Sequence, residues 1–316
     1  MRNIINTRTS LAILVLFCLR EDNFGQSAAN SYVNRKSQQI LSSSASLETE
    51  TKANSENVTS HGKEVIQDKP FYPWTIVPSY SHSFFNKGRD DWQRETLDIF
   101  YQPDKYLLLG GSVDFVQRPP NEDDIMYSFN ASWYPLKELE VHGEISHTPD
   151  ANFMPNNTYS AGFQYTLNPK VTLLLDVEQL YFDTNYSSTE YDITQVKPGV
   201  SYWFTEKSSI TFRYAHGWVH DQVDYDYYSA AVNFADMPRD GQLTLGFAYG
   251  TDPELDFGAP VAALSEAYIA TIFYKQPIKP TLSIFAGLEY VYRLRPDNDE
   301  ELYQSITPTI GLVWKF

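Results

Sequence analysis

Cysteine is almost absent from this sequence. Cys18 is the only cysteine in 316 residues, and it lies within an N-terminal apolar segment. If that segment is removed during export, the remaining chain has no disulfide and no thiolate metal site. An exported chain without disulfides has to gain its stability from its size, from closure of its sheet or from insertion into a membrane.

The first residues have the order of a secretory signal peptide. Arg2 and Arg8 precede the apolar run Leu11–Leu19, and small residues follow from Gly25 to Ala29. We therefore predict a signal peptide over residues 1–29. Attachment of lipid to Cys18 is the less favoured reading, because the bulky Phe17 precedes it.

Long hydrophobic runs are also absent after this segment. A membrane-spanning helix needs about 18 or more consecutive apolar residues, and none is found. A chain that crosses a membrane without such a helix must do so as a closed barrel, since closure satisfies every backbone polar group. The mean hydropathy of −0.40 does not argue against this, because barrel strands alternate lipid-facing and polar residues.

Positive charge is scarce, and aromatic residues are abundant. The chain has 24 Lys and Arg against 40 Asp and Glu, a formal net charge of −16, which argues against a nucleic-acid partner or anionic head groups. Tyr, Phe and Trp make up 15% of the residues, which suits the aromatic girdles of an outer-membrane barrel. An aromatic-rich soluble core is the alternative.

Residues 30–70 are rich in Ser, Asn, Gln, Glu and Lys and have almost no aromatic residues. Such a segment buries too little apolar surface to become ordered. We predict a disordered periplasmic tail here, or alternatively a segment that enters the barrel.

From residue 71 onward, short segments with alternating polarity predict an all-β, transmembrane, antiparallel up-and-down barrel. The pattern gives about 14 strands, within a range of about 12 to 16. The predicted strands are 75–85, 93–102, 105–116, 124–134, 139–148, 158–168, 170–181, 192–204, 209–219, 226–235, 242–250, 267–276, 281–293 and 303–316.

The connections are expected to alternate between short periplasmic turns and longer outer loops. Turns rich in Pro, Asn, Asp and Lys follow the even strands, as at 103–104, 168–169 and 277–280. Longer acidic segments follow most odd strands, the longest of them at 251–266.

The last strand is strongly amphipathic. Ile306, Pro308, Ile310, Leu312, Trp314 and Phe316 alternate with mostly polar or small residues, and Val313 is the exception. Leu174 breaks the pattern in the same way in an earlier strand. A terminal aromatic in such a strand resembles bacterial outer-membrane barrels, which implies outer-membrane lipid and the barrel-assembly machinery as partners, with Trp314 and Phe316 as the assembly signal.

The inward rows of the predicted strands carry the candidate site. Carboxylates lining a pore favour cations, whereas inward aromatic rings could stack on sugar faces or simply fill a narrow lumen. The candidate lumen-lining residues are Arg94, Asp98, Asp114, Glu140, His142, Glu144, Asp176, Glu178, Lys197, Arg213 and Glu289. The candidate lumen aromatics are Phe100, Tyr106, Trp203, Tyr227 and Phe285.

Motifs for catalysis are not found: there is no GxSxG and no HExxH. His142 shares a predicted face with Glu140 and Glu144, which could support acid–base chemistry, although a hydrated lumen row is favoured. His216 and His220 have a spacing that suits a metal ion only on a helix, so no catalytic, cofactor or metal residue is predicted.

The segment Ser79–Tyr101 resembles the opening hairpin of the YaiO family of outer-membrane barrel proteins. The likeness continues, in weaker form, over residues 74–316. It is carried by Tyr80, Phe84, Phe85, Gly88, Arg89, Trp92 and Glu95. Because some relatives are linked to exopolysaccharide synthesis and export, the resemblance implies an export channel for a sugar polymer, with the polysaccharide and its synthesis and export proteins as partners.

Three functions remain open from the sequence. The leading prediction is a channel or translocation pore in the Gram-negative outer membrane, with a periplasmic N-terminus and exopolysaccharide or oligosaccharide as cargo. The alternative is a plugged barrel that acts through its acidic loops. The third is a lipid- or polymer-modifying enzyme. Only His142 and its neighbouring glutamates support this function, so an enzyme is not predicted.

Overall fold

The structure is a computed structural model, and it describes residues 72–119, 122–183, 191–219, 223–254, 263–295 and 300–316. The predicted signal peptide, Cys18 and the polar tail lie outside these residues. His220 and the tip of the longest predicted loop also lie outside them.

Fourteen antiparallel strands form one closed barrel, in which each strand pairs with its neighbours in sequence and the first pairs with the last. This confirms the predicted fold class and the predicted strand number. The strands are β1 (Trp74–Phe85), β2 (Trp92–Tyr101), β3 (Leu107–Arg118), β4 (Glu122–Leu136), β5 (Leu139–His147), β6 (Asn157–Asn168), β7 (Val171–Phe182), β8 (Tyr191–Trp203), β9 (Ser208–Val219), β10 (Val223–Met237), β11 (Gly241–Glu254), β12 (Ala263–Lys279), β13 (Leu282–Leu294) and β14 (Glu301–Lys315).

A short 3₁₀ turn, Pro238–Asp240, joins β10 to β11, with Arg239 and Asp240 at φ angles of 62° and 58°. Within the ranges that the structure describes, no helix has the length and apolar character needed to cross a membrane.

The strand boundaries differ most from the prediction in β11 and β12. Residues 251–254 and 263–266, predicted as loop, belong to these two strands and pair with each other. Pro277, predicted in a turn, lies in β12 next to a register shift. The difference has a physical reason: backbone pairing can continue beyond the point where the polarity of the side chains stops alternating.

The two ends of the barrel differ in their connections. The chain ends meet at one end, where the Trp74 N–H donates to the Phe316 carbonyl at 3.1 Å and the Phe316 N–H donates to the Trp74 carbonyl at 3.0 Å. We call this the terminal end, and the opposite one the loop end. Two loop-end connections, 119–121 and 220–222, are as short as the terminal-end turns, because the adjoining strands extend farther than predicted.

The outer surface is apolar and layered. Trp74, Trp133, Tyr202, Trp314 and Phe316 are exposed close to the terminal end, and aliphatic side chains are exposed at mid-height. Further exposed aromatic residues lie toward the loop end; they are Tyr159, Tyr181, Trp218 and Tyr228. An exposed apolar surface of this extent between two aromatic layers is typical of a barrel that faces lipid.

The two exceptions to the polarity pattern both face inward. Val313 is buried in a cluster with Val77 and Phe285, and partly buried Phe100 and Phe273 pack against it. Leu174 is buried beside Gly199, where an added Cβ would lie 3.4 Å from the Leu174 Cδ1 atom. Because both side chains point into the barrel, neither interrupts the lipid-facing surface.

Candidate functional site: the inner wall

The alternation of buried and exposed residues places all the predicted charged lumen residues on the inward face of their strands. Arg94, Asp98, Asp114, Glu178, Lys197 and Glu289 are buried. Glu140, His142, Asp176 and Arg213 keep between 8% and 17% of their side-chain surface exposed. Glu144 is half-buried. The inner wall therefore carries charge that has little contact with solvent.

The most connected part of the wall spans β5 to β9. His142 on β5 donates from Nε2 to the Asp176 Oδ1 atom on β7 at 2.7 Å. Both residues are in register with Gly162 on the strand between them. A Cβ at Gly162 would lie 2.4 Å from Asp176 Oδ1 and 2.6 Å from His142 Nε2. The absence of a side chain at this one position is what lets the imidazole and the carboxylate meet.

Two further charged residues extend this contact. Arg213 on β9 donates from Nη1 to the second Asp176 oxygen. Glu140 lies on the other side, with its Oε1 atom 3.9 Å from His142 Nδ1. We call Glu140, His142, Asp176 and Arg213 the His142 cluster. Its acidic groups and its nitrogen-bearing groups alternate around the wall.

Serine 132 is a member of this neighbourhood that sequence reasoning missed. Ser132 on β4 lies directly across from His142 in the ladder, and its hydroxyl contacts Glu140. Within the described part of the chain, no hydrogen bond joins Ser132 to His142, and His142 Nδ1 is buried without a hydrogen-bond partner. The constellation therefore lacks the nucleophile–base hydrogen bond that acyl transfer needs.

Further ion pairs line the wall, and Arg94–Asp114 and Lys197–Glu178 are among them. Asp114 accepts from Arg94 Nε at 2.9 Å and from Arg94 Nη2 at 2.7 Å, and the Thr96 hydroxyl donates to it at 2.6 Å. Lys197 donates to Glu178 one strand away. A buried charge that kept no partner would cost several kcal/mol, on the order of 3 to 5. The wall thus presents paired charges of both signs rather than a ring of carboxylates.

The predicted lumen aromatics divide into two groups. Tyr227 and Phe285 are buried, and Phe100 and Trp203 are partly buried, on inward positions. Tyr106 differs, because it lies before β3 and is 51% exposed. Asp104 accepts the backbone N–H groups of Tyr106 and Leu107 at 2.7 and 3.1 Å. This turn delays the strand by two residues relative to the prediction and keeps Tyr106 out of the buried wall.

The connection between β5 and β6, residues 148–156, folds against the inner wall, and we call it the mouth loop. Ala151, Phe153 and Met154 are buried. Phe153 and Met154 pack on Val116 and Met126, two inward residues of β3 and β4. The sequence predicts a longer outer loop at this position. The apolar run Phe153-Met154-Pro155 inside this loop is the sequence feature that could have indicated its packing on the wall.

Among the residues that the structure describes, no group of three or more His, Cys, Asp or Glu side chains is arranged to hold a metal ion. His216 lies on the outer face, where its Nδ1 atom is 2.9 Å from Asp226 Oδ1 and its ring meets Trp218 edge-on at 4.7 Å. His220, the other histidine of this pair, lies outside the described residues.

No protein-family model matches the sequence, and no curated protein matches it. Solved structures do match, at low identity. The CymD monoaromatic hydrocarbon channel is 10% identical, with a TM-score of 0.55 over 78% of this chain and 89% of that one. A bacterial polysaccharide outer membrane secretin is 9% identical, with a TM-score of 0.54 over 78% of this chain and 100% of that one.

A Pseudomonas aeruginosa FadL homologue is 8% identical, with a TM-score of 0.51 over 77% of this chain and 90% of that one. At these identities the likeness concerns the fold. The closed sheet, the lipid-type outer surface and these similarities together define the chain as a β-barrel of the outer-membrane class.

Proposed function

We propose that this protein is a channel of the Gram-negative outer membrane, with its terminal end in the periplasm, and that its cargo is a saccharide chain. The observation that carries the proposal is the paired, polar inner wall of a closed barrel. Barrels of about 8 strands are filled by their own side chains, whereas those of about 16 to 18 leave an aqueous channel. Fourteen strands lie between these sizes.

A saccharide suits the chemistry of the wall. Sugar hydroxyls both donate and accept hydrogen bonds, and the wall offers ion pairs together with a row of inward hydroxyls. That row consists of Ser81, Ser83, Ser305 and Thr307 on β1 and β14. Trp203 is a partly buried aromatic residue on an inward position, where its ring could stack on a sugar. Membership of the YaiO family, with its implied link to polysaccharide export, is part of this proposal.

The similar structures support a channel more than a cargo. One is described as a polysaccharide secretin and another as a monoaromatic hydrocarbon channel. The apolar cluster around Phe285 at the terminal end would suit the second cargo, whereas the His142 cluster and the Arg94–Asp114 pair suit the first. We favour the saccharide because the polar part of the wall spans more strands.

A plugged barrel that acts through its loops is the second candidate. The low exposure of the inner side chains favours it, since an open pore would hydrate its wall. In either case Trp314 is exposed on the last strand and Phe316 is exposed directly after it, as an assembly signal for the barrel-assembly machinery would require.

Conductance of the full mature chain in a planar bilayer tests the proposal, with swelling of proteoliposomes in sugars of graded length as a second measurement. We expect stable conductance steps and faster swelling in oligosaccharides than in liposomes without protein. A folded barrel that neither conducts nor admits sugars, and whose heat-modified migration shows that it is intact, would overturn the channel and favour the plugged barrel.

A further inference from the structure

We propose that the mouth loop limits the size of solute that the barrel admits, and that Asp124 is the residue that positions it. The inference rests on the proposed channel function and adds a specific element to it. It starts from one carboxylate on the inner wall, at the loop end of β4, which holds the loop by its backbone.

Asp124 is buried and accepts four hydrogen bonds from three consecutive residues of the loop. Its Oδ1 atom accepts from the Asn152 backbone N–H at 2.8 Å and from the Asn152 side-chain amide at 3.1 Å. Its Oδ2 atom accepts from the backbone N–H groups of Phe153 and Met154 at 3.0 and 2.8 Å. Since charge-assisted hydrogen bonds are about twice as strong as neutral ones, this carboxylate is a strong anchor.

The side chains of the loop continue the attachment along the wall. Phe153 and Met154 pack on Val116 and Met126. The Arg118 guanidinium lies between two rings, 3.6 Å from the Trp92 centroid and 3.7 Å from the Phe153 centroid. The loop therefore leaves β5, crosses β4 and β3 and makes an indirect contact with β2.

This path places the loop inside the cross-section of the barrel. Val116, Met126 and Arg118 are inward residues, so whatever packs on them takes up space at the mouth. A loop that pointed away from the barrel would leave the same residues bare. The mouth is narrowed for as long as Asp124 holds the loop.

Asp124→Asn is the selective test of this arrangement. An asparagine side chain has one oxygen and one NH₂ group, and each Asp124 oxygen now accepts from two donors. In either orientation the NH₂ group would face two donors. Asp123→Asn is the matched control, because Asp123 is exposed and only its backbone carbonyl contacts the loop, accepting from the Asn152 amide at 2.8 Å.

The experiment uses the mature chain, residues 30–316, which contains no cysteine, and compares three proteins: the parent, Asp124→Asn and Asp123→Asn. Conductance and the longest sugar admitted in swelling assays measure the width of the mouth. Separately, Met154→Cys is added to each protein and its labelling by a membrane-impermeant maleimide is timed, because Met154 is 0% exposed. The exposed Asp90→Cys is the labelling control.

We expect Asp124→Asn to conduct more and to admit longer sugars than the other two proteins, and to label at position 154 about 100-fold faster, since it loses two hydrogen bonds to a charged group. An unchanged size limit in a conducting variant whose loop has become labelled overturns the inference. Unchanged labelling overturns the role of Asp124. If none of the three proteins conducts, the proposed channel function is refuted. The labelling rates then show on their own whether Asp124 holds the loop. Conductance only in Asp124→Asn supports the inference.

Discussion

Thr307 on β14 donates its hydroxyl to the Ser83 hydroxyl on β1 at 2.9 Å, across the seam that closes the barrel. Within these two described strands, the paired register passes from Ser81–Thr309 to Phe84–Ile306 and skips the two rungs between them, those of Pro308 and Thr307. A side-chain hydrogen bond thus joins the strands where their backbones are not paired.

Proline explains this gap and a second one. Pro308 and Pro78 lie in β14 and β1, and the register also skips the rung that contains Pro78. Proline has no N–H to donate to a ladder. Pro308 still pairs with Leu288 on β13, and Pro78 still pairs with Leu97 on β2. The hydrogen bond that each proline cannot donate is therefore one between β1 and β14.

Restoring one donor should strengthen the seam. In Pro308→Ala the new N–H can pair with β1, and we expect a gain of about 1 kcal/mol in unfolding free energy. Proline replacement also loosens the unfolded chain, so the result is compared with Pro103→Ala in an exposed turn. Thermal unfolding in detergent measures the difference. Equal midpoints for the two variants would contradict this account of the gap.

Removing the side-chain bond should weaken the seam. Ser83→Ala leaves the Thr307 hydroxyl buried without this partner, and we expect a loss of about 1 to 3 kcal/mol. Thr307→Val in the same background removes the stranded hydroxyl and should recover part of that loss. A double-mutant cycle on urea unfolding measures the coupling, and a coupling near zero would show that the bond contributes nothing.

Gly162 should not tolerate a side chain. Gly162→Ala places a Cβ between His142 and Asp176, so we expect it to separate the two groups and to cost about 1 to 3 kcal/mol of stability. Gly143→Ala on the adjacent strand is the control, because a Cβ there would meet only the Ser160 carbonyl, at 3.4 Å. Urea unfolding compares the two. Similar stability for both variants would mean that the cluster adapts freely.

Arg213 should influence ion selectivity if the barrel conducts. Arg213→Gln removes a positive charge beside Asp176, so the wall becomes more negative and the preference for cations should increase. Arg239→Gln removes an equal charge from an exposed terminal-end turn. Reversal potentials in a salt gradient measure the change. A shift of the same size in both variants would indicate that Arg213 acts only through net charge.

The sequence predicted the fold well because alternating polarity repeats in every strand, and a closed barrel is the one arrangement that satisfies it in lipid. The inward position of Asp176 and Arg213 followed from the same alternation. Their contact did not, because it depends on two residues from β7 and β9 reaching each other across β8, where Gly199 leaves room for the Arg213 side chain. The residues that face each other across an intervening strand can be identified only when the register of the strands is known.

The mouth loop could not be predicted for a related reason. Its residues have no period, and its anchor Asp124 lies about 30 residues earlier, within a strand. The predicted strand 124–134 includes Asp124 and leaves Asp123 in the preceding loop, but a strand boundary does not show which carboxylate another loop packs against. Burial separates the two, and burial depends on the path of the loop.

The backbone bonds between Trp74 and Phe316 make the barrel nearly cyclic. A circular permutant could therefore join these ends and open the chain at a terminal-end turn, such as the one between β6 and β7, while it keeps every strand neighbour. Its last residue would no longer be the aromatic Phe316, and the two prolines would lie within a continuous hairpin. In such a chain, the strand that ends the sequence is no longer one of the two strands, β1 and β14, that close the native sheet.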